Sequence, residues 1–221
     1  VLHTDGLLDA QAPVRQLEQE DVVAALVDCP RDPDAVVDCL LALADAGEGE
    51  PRDDIALLEA LIRGRNVTVC GNAPSLPAEL DRIEGAVLAA DAAAEVLAGH
   101  GVRPDAVFTD LDGATDLFID LSRQGTVMVV HAHGDNIPLL RHWVPRIPGP
   151  LVATTQAAPI PGVHNFGGFT DGDRAVFAAS DLGAADVRII GFDLADKNVD
   201  PVKRGKLYWA GELLRLIGHD L

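Results

Sequence analysis

Lysine is scarce in this chain of 221 residues. It occurs only at positions 197, 203 and 206, whereas aspartate and glutamate together number 35 and give a formal net charge of −18. Such a surface repels nucleic acid and anionic membranes through its long-range field, which excludes both as partners. Because strong salt screening removes the self-repulsion of many aspartates, the acidic excess predicts a halophilic protein from a salt-rich cytosol.

The chain also lacks long apolar runs and paired cysteines. No run approaches the ~20 residues that a membrane-spanning helix needs. The opening "VLHTDGLLDA" has neither the basic nor the apolar segment of a secretory signal. Cys29, Cys39 and Cys70 form no Cys-x-x-Cys pair, which argues against a structural zinc site. We therefore expect a cytoplasmic protein with free thiols.

Two sequence textures divide the chain into an N-terminal helical region, residues 1–65, and an α/β domain, residues 66–221. The first region has apolar residues at helical spacing, and two of its helical stretches end at Gly47 and Gly64, as capped helices do. It carries no catalytic pattern. We expect it to serve packing or oligomerisation, including formation of a homo-oligomer.

From residue 66 onward, short apolar runs alternate with helical stretches. The runs are "NVTVCGN", "GAVLAAD", "DAVFTD", "GTVMVVHAH", "LVATT" and "DVRIIGFDL". Continuous hydrophobicity is typical of strands covered on both faces, so the pattern predicts an α/β fold: a Rossmann-like, doubly wound, mostly parallel sheet. Ligands of such sheets bind beyond the carboxyl ends of the strands. Five of the predicted strands have a polar residue at or just after this end: Asn72, Asp91, Asp110, His131 and Asp193.

The turn "CGNAPSL" after the first run carries Gly71, Asn72 and Ser75. Gly71 permits a tight turn, and the two polar side chains can bind a phosphate or cap the next helix. The turn is not a G-x-G-x-x-G fingerprint, and the chain has no P-loop G-K-[ST]. Cofactor phosphate binding and an ordinary capped turn both remain open here.

The stretch "RPDAVFTDLDG" holds three carboxylates close to the end of a predicted strand. Asp105 is expected to shape the turn into the strand, and Asp110 and Asp112 follow its apolar residues. Residues i and i+2 share one side of an extended chain, so the pair could hold a hard cation such as Mg²⁺. The alternative is a pair of solvated loop carboxylates in an acidic protein.

The order of these motifs resembles a known family. Ala-Asp, a helix, Gly-Val-x-Pro-Asp, a strand and Asp-x-Asp-Gly are similar to thiamin pyrophosphokinases. The chain resembles the archaeal 6-hydroxymethyl-7,8-dihydropterin pyrophosphokinases of the MptE type more closely. That second resemblance adds "GNAPSL", "HAHGDN", "FGGFTDGDRA", "GAADVRIIGFDL" and a lysine-containing tail, and it covers roughly residues 66 to 215.

The resemblance implies a site for Mg²⁺ and ATP. Asp91, Asp110 and Asp112 would then belong to the metal or phosphate shell, and "TDGDRA" matches a thiamin pyrophosphokinase segment that implicates Asp171 as a metal ligand and Asp173 beside the cofactor. The late Gly-Gly-Arg-x-Asp-His element of thiamin pyrophosphokinases is absent, and "GFDLADKNVD" stands in its place. This departure favours the pterin over thiamin.

The remaining motifs supply candidates for binding the two substrates. Arg174 at a helix start can clamp phosphate oxygens, and Lys206 belongs to the basic cluster of residues 197–206. Asp135 and Asn136 of "HAHGDN" are candidates for hydrogen bonding to substrate, whereas His131 and His133 lack a third ligand for zinc. Asp193 could accept hydrogen bonds from the amidine-like edge of a pterin. Each of these residues could instead be an ordinary cap or surface group.

The predicted activity is diphosphoryl transfer from ATP to the hydroxymethyl group of the pterin, with release of AMP, in tetrahydrofolate- or methanopterin-type pterin biosynthesis. Asp110, Asp112 and Arg174 would form its catalytic centre, and the partners would be these two small molecules. Three alternatives use the same fold: a thiamin pyrophosphokinase, a sialyltransferase-like nucleotide-sugar transferase and a non-catalytic nucleotide-binding module. Each predicts a different substrate dependence.

Overall fold

The structure, a computed structural model, describes residues 54–221. Most of the predicted helical region, with Cys29 and Cys39, lies outside the described residues. Its last helix is confirmed: α1 spans Ile55–Ile62, and the chain turns at Gly64 with a φ of +69°. None of the helices in this part of the chain is long and apolar enough to cross a membrane.

In the described part of the chain, seven strands form one sheet. Their bounds are β1 Asn66–Cys70, β2 Ala86–Ala90, β3 Ala106–Thr109, β4 Val127–Ala132, β5 Leu151–Thr155, β6 Val163–His164 and β7 Asp186–Ile190. Their order across the sheet is β6-β5-β4-β3-β2-β1-β7, and every pair of neighbours is parallel. The predicted doubly wound α/β fold is thereby confirmed, and the six predicted strands all form. The two-residue β6 was missed because it is too short to produce an apolar run.

Helices cover both faces of the sheet. Besides α1, five α-helices form within residues 54–221: α2 Ala93–Gly99, α3 Asp116–Arg123, α4 Ile137–Trp143, α5 Asp171–Asp181 and α6 Pro201–Leu216. Apolar side chains of α2, α3 and α4 pack on one face, and those of α1, α5 and α6 pack on the other. Crossovers between parallel strands are right-handed. The helices that connect β2 to β5, each strand lying beside the one before, therefore share one face of the sheet. The chain then returns across the sheet to β7, beside β1, so α5 lies on the opposite face.

The sheet interior explains why these runs become strands. All residues of β2, β3, β4 and β5 are buried, and alternate side chains enter the two cores. Phe108 and Met128, for example, are 0% exposed and lie on opposite faces. Each large apolar side chain buried in this way contributes about 1.5–3 kcal/mol. The carboxyl ends of β1 to β4 consequently form one rigid edge, beside which α5 begins.

Candidate active site

Three aspartates meet at this edge of the sheet. Asp91 follows β2, and Asp110 and Asp112 follow β3; one carboxylate oxygen from each lies within 4.8 Å of the other two. The Asp91 backbone N–H donates to Phe108 O at 2.8 Å, which extends the pairing of the two strands by one residue. Backbone pairing in the sheet therefore fixes the positions from which these side chains extend.

The turn after β3 differs from the extended geometry that the sequence predicted. The strand ends at Thr109, and Leu111 has a φ of +72°, so the expectation that Asp110 and Asp112 share one side of an extended chain is wrong. The Asp112 N–H instead donates to Asp110 Oδ1 at 3.1 Å, within a tight turn. A left-handed leucine costs about 1–2 kcal/mol, which burial of its side chain, 1% exposed, offsets.

Thr109 connects this turn to Asp91. Its hydroxyl accepts the Leu111 N–H at 2.8 Å and donates to Asp91 Oδ1 at 2.7 Å. Gly113 completes the arrangement, because a Cβ at this position would lie 2.2 Å from Asp91 Oδ2. The sequence pattern predicted no role for Thr109 or Gly113. Both stand in the quoted motif, but their tasks depend on a close approach between separate strands.

The pKa values of these carboxyls reflect crowding of negative charge. Burial, followed by the charge of Asp110, raises the pKa of Asp112; burial also raises that of Asp91, to which Asp110 adds. Asp110 behaves in the opposite way, since a hydrogen bond from His133 holds its pKa well below the usual range. Burial and then Asp110 raise the pKa of Asp171 to about 8. A bound cation would relieve this repulsion.

The oxygen donors of the three aspartates fit a hard divalent cation. Magnesium takes oxygen ligands at about 2.0–2.1 Å, so oxygens bound directly to one ion lie at most about 4.2 Å apart. The observed spacing of up to 4.8 Å is therefore near what one ion spans, with a small movement or a water ligand. Asp91, which the sequence predicted in the metal or phosphate shell, is the third member of this group, and Asp171 is not among the three.

Asp171, Asp173 and Arg174 begin α5 but have different surroundings. Asp173 is 0% exposed, and its two oxygens accept the N–H groups of Phe169 and Thr170, both at 2.6 Å. With Thr170 it forms a capping box at the start of the helix. The Asp173 carboxylate is therefore occupied in capping and shielded from solvent, whereas the sequence predicted that it contacts the cofactor. Asp171 is half-buried and lies within electrostatic reach of all three clustered aspartates.

Arg174 is a buried cation, 6% exposed. Its Nε has no hydrogen-bond partner among residues 54–221. Burial lowers its pKa, and the carboxylates of Asp171, Asp173 and Asp110 act against that effect. A guanidinium held in this way, beside carboxylates and without a paired Nε, has donor capacity left for an anion.

The loop after β4 contains an ion pair and an asparagine that hydrogen-bonds to the ends of two strands. His133 Nε2 lies 3.5 Å from Asp110 Oδ2, and its Nδ1 contacts the exposed Asp135; Asp110 is the main cause of its raised pKa. Asn136, 4% exposed, donates from Nδ2 to Asp110 O at 2.9 Å and to His131 O at 2.7 Å. Its amide thus ties the ends of β3 and β4 together, whereas the sequence predicted a substrate contact.

The turn after β1 packs against the loop that follows β7. A Cβ on Gly71 would lie 2.6 Å from both Gly191 O and the Phe192 ring, so this close approach requires glycine. Asn72 and Ser75 are exposed, and the Ser75 side chain makes no cap hydrogen bond to the short 3-10 helix that it precedes. The sequence left phosphate binding and helix capping open for Ser75, and the structure does not form the helix cap.

Two predicted residues lie toward the β7 side of the site. Asp193 is exposed, and its Oδ1 accepts the Ala195 N–H at 3.1 Å; β7 lies two strands from β2, so Asp193 is not among the clustered aspartates. Lys206 is exposed on α6, and its positive charge offsets part of the rise in the pKa of Asp112. Lys203 does the same for Asp91. Helix α6 therefore brings positive charge to the aspartates.

Comparison with known proteins identifies relatives of this chain. Residues 48–199 match the family model described as 6-hydroxymethylpterin diphosphokinase MptE-like. A relative from Methanothermobacter thermautotrophicus, named 6-hydroxymethyl-7,8-dihydropterin pyrophosphokinase, is 42% identical over 165 residues, which are 66% of this chain and 71% of the relative. One of the same name from Pyrococcus furiosus is 44% identical over 138 residues, 59% of this chain and 57% of the relative.

The matched segment includes every clustered aspartate, the cap of α5 and Arg174. It ends just before α6, so the lysines of that helix lie beyond it. Because the family model matches more than half of the chain, this protein belongs to the MptE-like 6-hydroxymethylpterin diphosphokinase family.

Proposed function

We propose that this protein transfers a diphosphoryl group from ATP to the hydroxymethyl group of 6-hydroxymethyl-7,8-dihydropterin. The hydroxymethyl oxygen forms a bond to the β-phosphorus, the bond between that phosphorus and the α,β-bridging oxygen breaks, and AMP leaves. The alcohol proton is released, so the balance is ROH + ATP⁴⁻ → ROPP³⁻ + AMP²⁻ + H⁺. The observation that carries the proposal is the cluster of three aspartates beside lysines and a buried arginine.

The carboxylates of Asp91, Asp110 and Asp112 would hold Mg²⁺, and Asp171, which lies within electrostatic reach of all three, would contribute through a water molecule. When bound, the ion neutralises charge on the triphosphate and fixes its shape. His133 supports the site by holding Asp110 in its ionised form through the hydrogen bond between them.

Positive charge around the aspartates would hold the triphosphate. Phosphoryl transfer asks a protein mainly to orient the reactants and to neutralise charge. Arg174 would donate to the transferring group, and Lys206 with Lys203 would contact outer phosphate oxygens. In this proposal Asn72 and Ser75 bind the nucleotide at the turn after β1, while Asp135 and Asp193 receive hydrogen bonds from the pterin.

A reconstitution assay tests the proposal. Purified protein, ATP, Mg²⁺ and the reduced pterin alcohol in molar salt should yield AMP and the pterin diphosphate, measured by chromatography. Chelation of Mg²⁺ should abolish both products. Thiamin in place of the pterin should give background AMP, and a preference for thiamin would contradict the substrate assignment.

Matched variants separate an enzyme from a binding module. Asp112→Asn should lower AMP formation by about 10²-fold or more, because it removes one charge at the metal. Asp120→Asn, a change of the same type on the exposed surface of α3, should leave the rate unchanged. ATP binding without turnover in the unmodified protein would instead support the non-catalytic nucleotide-binding module.

A further inference from the structure

One phenylalanine ring contacts two glycines from different parts of the candidate site. Phe192 follows β7, Gly71 lies in the turn after β1, and Gly172 lies in the first turn of α5. A Cβ on Gly71 would lie 2.6 Å from Phe192 Cδ2, and a Cβ on Gly172 would lie 2.8 Å from Phe192 Cζ. Real Cβ atoms do not approach other atoms so closely, so neither position accepts a side chain while the ring stays in place.

The two glycines contact different atoms of the ring. Cδ2 and Cε2 lie nearest to Gly71, whereas Cζ and Cε1 lie nearest to Gly172, at 2.8 and 3.0 Å from the position of a Cβ. Phe192 is half-buried and packs against the apolar core on the α5 side of the sheet. The ring therefore touches both the turn after β1 and the start of α5, and its size sets how closely these two elements approach.

The backbone of α5 does not itself require glycine at position 172. Gly172 has no positive φ, and the capping box of Thr170 and Asp173 already starts the helix. Alanine is the most favourable residue in a helix, whereas glycine is among the least favourable because it loses more backbone freedom. Contact with Phe192 is thus the physical reason for a glycine in this turn.

A second close contact reaches the same helix turn from the loop that precedes it. A Cβ on Gly168 would lie 2.6 Å from Arg174 Cα and 2.7 Å from Arg174 N. The first turn of α5 therefore has no spare room at either Gly172 or Arg174. Because this turn also carries Asp171, the packing around it determines where a half-buried carboxylate and a buried guanidinium lie.

We propose that Phe192 is a positioning residue: its ring sets the separation between the turn after β1 and the first turn of α5, and thereby places Asn72 and Arg174 at the distance that one bound nucleotide requires. This inference rests on the proposed function, in which these two residues bind the nucleotide and its transferring group. Positioning of this kind matters because phosphoryl transfer depends on how the reactants are oriented. Phe192 acts only through the two elements and does not touch the reacting atoms.

Exchange of volume between positions 172 and 192 tests this inference. Gly172→Ala places a methyl group against Cζ and Cε1 of the ring, and Phe192→Leu removes those two atoms while keeping Cδ atoms for the contact with Gly71. With Mg²⁺ present, calorimetry should show that each single variant binds α,β-methylene-ATP about tenfold more weakly. The double variant should recover to within about threefold of the unmodified protein, because substitutions at contacting residues are not additive.

Binding of Mg²⁺ without nucleotide separates positioning from a general loss of structure. Asp91, Asp110 and Asp112 follow β2 and β3, so their affinity for Mg²⁺ should change by less than about threefold in all three variants. Gly99→Ala, a helix glycine with nothing within 4 Å of an added Cβ, should leave both affinities unchanged. Thermal unfolding of each variant is measured in parallel.

A parallel loss of Mg²⁺ and nucleotide affinity would overturn the inference. Unchanged nucleotide affinity in both single variants, or a double variant that shows the product of the two single losses, would also overturn it while leaving the proposed function intact. Failure of the unmodified protein to bind the nucleotide would overturn the proposed function and this inference with it. If Gly172→Ala does not fold, Phe192→Leu alone decides: weaker nucleotide binding with retained Mg²⁺ affinity supports the inference, and unchanged nucleotide binding contradicts it.

Discussion

Single atoms of Thr109 and Gly113 determine the shape of the aspartate cluster. The Thr109 hydroxyl joins the turn after β3 to Asp91, and the missing side chain of Gly113 leaves room for the Asp91 carboxylate. The sequence predicted Asp91, Asp110 and Asp112 because each follows an apolar run. It could not predict the left-handed Leu111, since that conformation is stable only where the core accepts the leucine side chain.

Gly113→Ala should damage metal binding more than folding. The added methyl group would lie 2.2 Å from Asp91 Oδ2, so this carboxylate must rotate away from Asp110 and Asp112. We expect the affinity for Mg²⁺, measured by calorimetry, to fall about tenfold or more, which corresponds to roughly 1.4 kcal/mol. Gly99→Ala is the control, because a Cβ there has nothing within 4 Å. Equal metal affinity in the two variants would contradict the assignment.

Cys70 should resist alkylation in the folded protein. It ends β1, is 0% exposed, and burial followed by the charge of Glu79 raises its pKa to about 12. At pH 8 the thiol is therefore protonated, and the thiolate is the reactive form. Peptide mapping after iodoacetamide treatment should find Cys70 unmodified in native protein and modified in denaturant. Rapid modification under native conditions would show that the strand end opens.

At the scale of the element, α5 links stability to the site. Its first turn contains a carboxylate that caps the helix, a half-buried carboxylate near the aspartates and a buried arginine. The motif "TDGDRA" predicted that this helix start matters, but spacing cannot tell a capping aspartate from one that faces a ligand. Orientation distinguished them: Asp173 turns back onto the chain at Phe169 and Thr170.

Asp173→Asn should destabilise the protein by about 1–2 kcal/mol, the usual range for loss of a helix cap. Asparagine has one acceptor oxygen where aspartate has two, so one of the N–H groups of Phe169 and Thr170 loses its partner. The measurement is chemical denaturation. Asp181→Asn, at the exposed carboxyl end of the same helix, should be neutral or slightly stabilising, because it removes a negative charge from the negative end of the helix dipole. The reverse order of stabilities would exclude the capping role.

At the scale of the whole molecule, apolar runs predicted a parallel sheet and six of its seven strands. The position of β7 beside β1 could not be inferred from those runs, because pairing partners far apart in the chain leave no local pattern. The acidic composition is likewise a property of the whole surface and says little about any one aspartate. Position at the strand ends is what separates the clustered aspartates from the others.

Added salt should stabilise this protein. With a net charge of −18, self-repulsion opposes the folded state, and the screening length shortens from about 10 Å at 0.1 M to about 3 Å at 1 M salt. We expect the melting temperature to rise by several degrees between 0.1 and 2 M KCl, as followed by circular dichroism. A variant in which several exposed aspartates become asparagine should show a smaller rise. A melting temperature independent of KCl would contradict adaptation to salt.

The pairing of β1 with β7 also limits the order in which the sheet can fold during synthesis. Register joins Asn66 to Asp186, so β1, the first strand of residues 54–221 to leave the ribosome, waits for β7. Such distant pairing closes slowly, and the nascent sheet carries an open edge at β1 until then. The glycine turn at Gly71, which packs on Gly191 and Phe192, acquires its final shape only at that moment. A chain still being synthesised would therefore be inactive until β7 has docked beside β1.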